Sequence, residues 1–148
     1  MSDLLIHNAR IWDADAANLF DGAVEITGNR ITAVLRDKVT PGPDRPDVID
    51  AGGQTLMPGM VEGHCHPSFV GIAGNAELGR IAPEPHTLKT AANVKLLLEH
   101  GFTSIFEAAS AKPMIGVTIR DAINDGLIVG PRMLAGSPEV TATGGLGD

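Results

Sequence analysis

The stretch Met57-Pro-Gly-Met-Val-Glu-Gly-His-Cys-His66 constrains this chain more than any other. Pro58-Gly59 opens it and Pro67 closes it, so a short apolar run is bounded by turn residues. That is the pattern of a strand in an all-parallel sheet. Residues two apart on a strand project to one side, so His64 and His66 are expected to face together and Cys65 the other way. The rise per residue sets them about 7 Å apart along the strand, close enough to share a metal ion. The same alternation places Glu62 one pleat below the histidines, where a carboxylate orients an imidazole or fills a barrel interior. Cys65 reads as a small packed apolar side chain rather than a ligand. A bare His-x-His also occurs among ordinary surface and core residues. What distinguishes this pair is its place at the C-terminal end of an apolar strand, where barrel active sites are built.

The patterning on either side of this strand differs. The first 55 or so residues read as antiparallel strands at 4–12, 23–27, 31–35 and 47–50, with Gly28-Asn29 as a tight turn. Pro41-Gly-Pro43 and Pro46 mark a loop. From Met57 onward strands and helices alternate, which argues for a parallel sheet. The first such strand is 59–66, followed by a long Gly/Pro-rich loop over 67–86. Thr87 is placed to cap a helix over 88–100, with Gly101 at its C-terminal stop. A second strand is expected over 103–108. A second helix follows over 113–125, with Pro113 in its first turn and Gly126 as its stop. A third strand follows over 132–136, and then the Gly-rich run Thr141–Asp148. The expected fold class is α/β: a small β-domain over 1–56, then three β/α units over 57–148.

A complete (β/α)8 barrel needs about 250 residues, and this sequence has 148. The barrel is therefore expected to be incomplete here. An open three-strand sheet leaves edges and half-buried strands exposed to pairing. The chain is accordingly not expected to be a stable lone monomer. It should require a complementary polypeptide or the remaining C-terminal part of the barrel, and a homo-oligomer is expected.

Composition narrows the function classes. Hydrophobic content of 43% excludes a disordered chain, and the net charge of −7 disfavours nucleic acid and anionic membranes as partners. One cysteine cannot form an internal disulfide, no secretory signal is visible, and no apolar run approaches membrane-spanning length. The expected location is cytoplasmic.

The run Gly52-Gly-Gln-Thr-Leu-Met-Pro-Gly-Met-Val-Glu-Gly-His-Cys-His66 resembles the signature of the amidohydrolase superfamily. Leu4–Trp12 is similar to that family's N-terminal strand and Gly28–Val34 to its hairpin return. Leu96–Ile105 resembles the step into the second barrel strand, Gly130–Ser137 the third strand, and Thr143–Asp148 the loop after it. The likeness is nearest to the imidazolonepropionase-like and prolidase-like branch. It implies a (β/α)8 barrel holding one or two divalent ions, usually zinc, with manganese, cobalt or iron as alternatives. His64 and His66 would be metal ligands. The remaining ligands implied are a lysine, often carboxylated, two histidines, and an aspartate that handles the proton. All of these belong to later strands outside this sequence.

A metal ion held by neutral imidazoles lowers the pKa of bound water to about 7 and polarises a carbonyl. The implied function is metal-dependent hydrolysis of an amide-type C–N bond in a small amide, peptide, cyclic amide or urea-like substrate. A hydrolytic ring deaminase on the same scaffold is one alternative. A non-catalytic partial-barrel subunit that needs a partner chain is another. No catalytic acid or base is assigned within the chain.

Secondary candidates are fewer and less specific. Glu107 ends the second strand, where the family commonly has an arginine-aspartate pair, and could bond near the metal, touch substrate, or serve local backbone. His86 reads as a loop histidine, at the mouth of the site or solvated. Leu146 stands where the related branch carries a histidine, which removes support for a ligand in that loop. His7 falls in the β-domain, and His100 at a helix C-terminus, where an imidazole gains from the dipole alone. Ser68 and Ser137 lack a base partner, and Gly52-Gly53 is followed by no lysine of the kind a phosphate loop requires.

Overall fold

The computed structural model describes residues 3–15, 17–43 and 47–145. Pro46 and the Leu146 position considered above lie outside them. The chain forms two compact units, Met1–Pro58 and Gly59–Asp148.

The first unit is a five-stranded sheet. Its strands are β1 (Asp3–Ile11), β2 (Phe20–Thr27), β3 (Arg30–Arg36), β4 (Asp47–Asp50) and the two-residue β5 (Thr55–Leu56). The order is β3-β2-β1-β4, and β5 also pairs with β1. Gly28 adopts φ +59, which lets a two-residue turn close the antiparallel β2–β3 hairpin at Thr27 and Arg30. Leu5, Ala9 and Ile11 of β1 are buried together with Ala23 and Val24 of β2. One expectation changes here. The sequence pattern groups 47–50 with antiparallel strands, yet β4 runs parallel to β1, with Leu4 opposite Asp47 and His7 opposite Asp50. The segment from β3 to β4 is long enough to return to the same end of the sheet, so no hairpin is forced. At the end of β4 the Asp50 carboxylate accepts the Gly52 N–H and the Asn8 side-chain amide, each at 2.8 Å. Those bonds hold its carboxyl below the usual range, the Gly52 bond most of all. Gly52-Gly53 is thus a left-handed turn, at φ +59 and +77, that leads the chain into β5.

The second unit is a parallel three-stranded sheet covered on one face by helices. The strands are β6 (Met60–Cys65), β7 (Phe102–Glu107) and β8 (Arg132–Leu134), in the order β6-β7-β8. The helices are α1 (Asn75–Arg80), α2 (Pro83–Glu99) and α3 (Ile115–Asn124). Val94 of α2, Ile115 and Ile119 of α3, Ile105 of β7 and Met133 of β8 form the core. Each large side chain in it contributes about 1.5–3 kcal/mol by leaving water. Gly101 (φ +91) and Gly126 (φ +72) follow α2 and α3, as the stop positions require.

Several boundaries differ from the sequence reading, those nearest the histidines in particular. The segment 67–86 is not one loop: it holds a 3-10 turn at Pro67–Phe69, then α1, then the first turn of α2. α2 starts at Pro83, with Ala82 as its N-terminal boundary, rather than at Thr87. Prolines at 83 and 85 lack N–H groups where a helix needs none, so they open the helix instead of delaying it. Thr87 lies inside, its hydroxyl donating to the Pro83 carbonyl at 2.8 Å. α3 begins at Ile115, leaving Pro113 in the turn before it.

Candidate metal centre

β6 carries His64, and His66 follows its last residue, Cys65, at the entry to the Pro67–Phe69 turn. Cys65 packs with the core residues under the helices, and the neighbouring imidazoles approach each other, with ring centroids 5.1 Å apart and planes at 80°. Two imidazoles on a tetrahedral ion, with metal–nitrogen bonds of about 2.0–2.1 Å, bring their ring centres to roughly 5 Å. His64 is exposed and His66 half-buried.

His66 is held on two sides. Its Nδ1 lies 3.2 Å from the Ala109 carbonyl oxygen. A carbonyl only accepts, so this bond requires the proton on Nδ1 and leaves the Nε2 lone pair for a ligand bond. Its ring also stacks on Phe69, with centroids 4.7 Å apart and planes at 12°. A backbone carbonyl fixing the tautomer of an imidazole is the arrangement metal-binding histidines use. The pair therefore fits a divalent ion as two ligands. Among the described residues no group of three or more His, Cys, Asp or Glu comes together to complete such a site.

Glu62 does not sit where simple alternation puts it. The β6–β7 register pairs Glu62 with Ile105 and Cys65 with Glu107, and an irregularity falls between. An extra residue in a strand shifts the alternation, so Glu62 and the histidines do not form one regular face. Its Oε1 accepts the His64 backbone N–H at 3.0 Å. The contact braces the backbone of the strand end rather than an imidazole ring.

Cys65 keeps its proton. Burial first, and then the charges of Glu62 and Glu107, push its thiol up to about 11. Its Sγ donates to the Phe106 carbonyl at 3.4 Å.

Glu107 is fully buried and its Oε2 accepts the Gly136 N–H at 3.1 Å, a bond to the segment that follows β8. It packs against Gly116 of α3, where a Cβ would collide with the carboxylate. Burial raises its pKa, opposed by the Gly136 bond, Ser110 and the charge of His66.

Against the sequence expectation of a loop histidine, His86 is neither in a loop nor solvated. It lies in the first turn of α2, 1% exposed, with Nε2 2.6 Å from the Ser68 carbonyl oxygen. The helix starts earlier than the capping pattern suggested, and this turns the imidazole inward. Of the other candidates, His100 ends α2 and donates from Nδ1 to the Leu96 carbonyl at 2.8 Å. Ser68 accepts the Ala111 N–H and Ser137 donates to the Pro138 carbonyl. Sequence reasoning missed Asn93, whose side-chain amide donates to the Pro67 carbonyl at 2.8 Å, and Phe69. The spacing of His86, Thr90 and Asn93 at i, i+4 and i+7 on one helix face was the available signal.

No known family profile matches the chain. Individual proteins do. An imidazolonepropionase of Arthrobacter sp. (strain FB24) is 40% identical over 89 residues, 59% of this chain and 22% of that protein. An N-substituted formamide deformylase of Arthrobacter pascens is 37% identical over 75 residues, 49% of this chain and 14% of that protein. A crystal structure of an amidohydrolase superposes with a TM-score of 0.75 at 25% identity, covering 89% of this chain and 30% of that one. The chain belongs to the amidohydrolase superfamily. It spans under a third of the length of each of these three relatives. Among the described residues no helix is long and apolar enough to cross a membrane.

Proposed function

We propose that this chain carries the first two metal ligands, His64 and His66, of a (β/α)8-barrel hydrolase that cleaves an amide-type C–N bond. The 5.1 Å approach of the two rings, with the His66 tautomer fixed by Ala109, carries the reading. The curated relatives, one of them a deformylase of N-substituted formamides, support a small amide, cyclic amide, peptide or urea-like substrate. Zinc is the expected ion, singly or as a pair, with manganese, cobalt or iron as alternatives. When bound, it supplies a water acidic enough to act as a nucleophile at neutral pH, and a Lewis acid.

The chain's own contribution is positional. Ala109 directs the Nε2 lone pair of His66 outward, Phe69 holds the ring plane, and Glu62 braces the His64 backbone. Glu107 ties β7 to the start of the segment after β8 through Gly136. The remaining ligands and the acid/base group come from polypeptide outside this sequence, either a further part of the barrel or a partner chain, in an assembly expected to be homo-oligomeric and cytoplasmic.

The test is hydrolysis of a panel of N-formyl amines, cyclic amides, dipeptides and ureas by the protein purified with any polypeptide that accompanies it. Turnover that a chelator abolishes and added Zn²⁺ restores is expected, together with its loss in His66→Ala. Turnover that survives both the chelator and the substitution contradicts the proposal.

A further inference from the structure

Two side chains of α2 hold the turn that follows the histidine pair. His86 Nε2 donates to the Ser68 carbonyl at 2.6 Å, and Asn93 donates to the Pro67 carbonyl at 2.8 Å. They are seven residues apart, two turns of one helix face. Between them Thr90 is fully buried, and its hydroxyl donates to the His86 carbonyl at 2.9 Å. A polar row of this kind is costly under a sheet. A buried polar group left without a partner loses its hydration with nothing in return, and His86 Nδ1 is buried with no partner among the described residues. A leucine of similar size would bury without that penalty. What the imidazole adds is a directed bond to one carbonyl.

The turn so held is the 3-10 turn Pro67–Phe69, immediately after His66. It supplies Phe69, which stacks on the His66 ring. It also supplies the Ser68 hydroxyl, which accepts the Ala111 N–H at 2.9 Å and so fixes the segment whose Ala109 carbonyl bonds His66 Nδ1. Both supports of the His66 ring therefore run through one short turn. From this we infer that His86 and Asn93 are positioning residues: they clamp the Pro67–Ser68 backbone to α2 and thereby set the orientation of His66 toward a metal ion. The inference rests on the proposed metal role of the pair, but the clamp itself is separable from it.

Two readouts on the full chain test it. The first is hydrogen exchange at the Ala111 amide, which reports the clamp without any metal. The second is Co²⁺ binding followed by its visible absorption. His86→Leu should speed Ala111 exchange about tenfold, the equivalent of one buried hydrogen bond, and leave the amides of β1–β3 unchanged. It should weaken Co²⁺ binding about tenfold, the lower end for groups that orient a ligand. His86→Gln, whose amide nitrogen can reach the place of Nε2, should recover most of both. If His86→Leu does not fold, Asn93→Ala, which cuts the other arm, is read the same way. Wild-type exchange and cobalt affinity in His86→Leu overturn the clamp, and so does a His86→Gln that behaves like leucine, since that marks a purely space-filling role. If the wild type takes up no Co²⁺, the metal reading fails, and Ala111 exchange alone decides whether the clamp stands.

Discussion

At His66, a tautomer, a ring plane and a strand end are set by three different segments: the Ala109 carbonyl, the Phe69 ring and β6. The neighbouring Glu107 shows the cost of building such a corner. Its carboxyl is buried beneath the strand ends and its pKa is raised, chiefly by that burial. A carboxyl whose folded pKa lies above its unfolded value binds more protons in the native state. Stability from this residue is then complete below about pH 4.5, the ordinary value, and is lost as pH rises through the raised one. The stability difference between wild type and Glu107→Gln should therefore shift toward the variant as pH rises from 4.5, measured by urea midpoints at several pH values. A difference that is flat across that range contradicts the burial argument. The approach of the two imidazoles was legible in the sequence, because period-two alternation needs little more than a strand and its end. The role of Glu62 was not, because the irregularity between Glu62 and Cys65 is a property of pairing with β7. His86 was misplaced for a similar reason: its burial depends on where α2 begins, and Thr87 offered a capping pattern that two prolines override.

Among the elements, α3 and β7 approach each other through Gly116. Alanine in place of a helix glycine ordinarily stabilises by about 0.5–1 kcal/mol. Here the added Cβ would run into the Glu107 carboxylate, which is buried and already bonded to Gly136. Overpacking of this kind costs about 1–3 kcal/mol, so the collision outweighs the propensity gain. Gly116→Ala should lower the midpoint of thermal unfolding, and a raised midpoint would show that Glu107 has room to move. Most elements were visible in sequence as hydrophobic periods closed by Gly28, Gly101 and Gly126. The parallel sense of β4 was not visible, because strand direction is decided by the partner strand and nothing in Asp47–Asp50 encodes it. The short helix α1 and the turn at Pro67–Phe69 were hidden by the Gly/Pro content of their surroundings.

For the whole molecule, the second unit leaves one sheet face apolar and open. Phe106 and Leu134 are paired neighbours on β7 and β8, 45% and 65% exposed, and Val61 on β6 is 69% exposed. β6 and β8 are also unpaired on their outer sides among the described strands. Such edges and faces invite pairing with other polypeptide. The chain by itself should therefore run above its 15.4 kDa mass in sedimentation or native mass measurements, or come with a second polypeptide. A cooperatively folding monomer of that mass would contradict this. The expectation that further polypeptide completes a barrel rests on length alone, since three β/α units do not close a ring of eight strands.

The central claim is that His64 and His66 grip one divalent ion. Metal analysis of the purified protein, wild type against the His64→Ala, His66→Ala double variant, tests it most directly. The account predicts zinc, or another divalent ion, in the wild type and its loss in a double variant that remains folded by circular dichroism. Equal metal content in the two proteins, or none in the wild type after purification with added Zn²⁺, would contradict it.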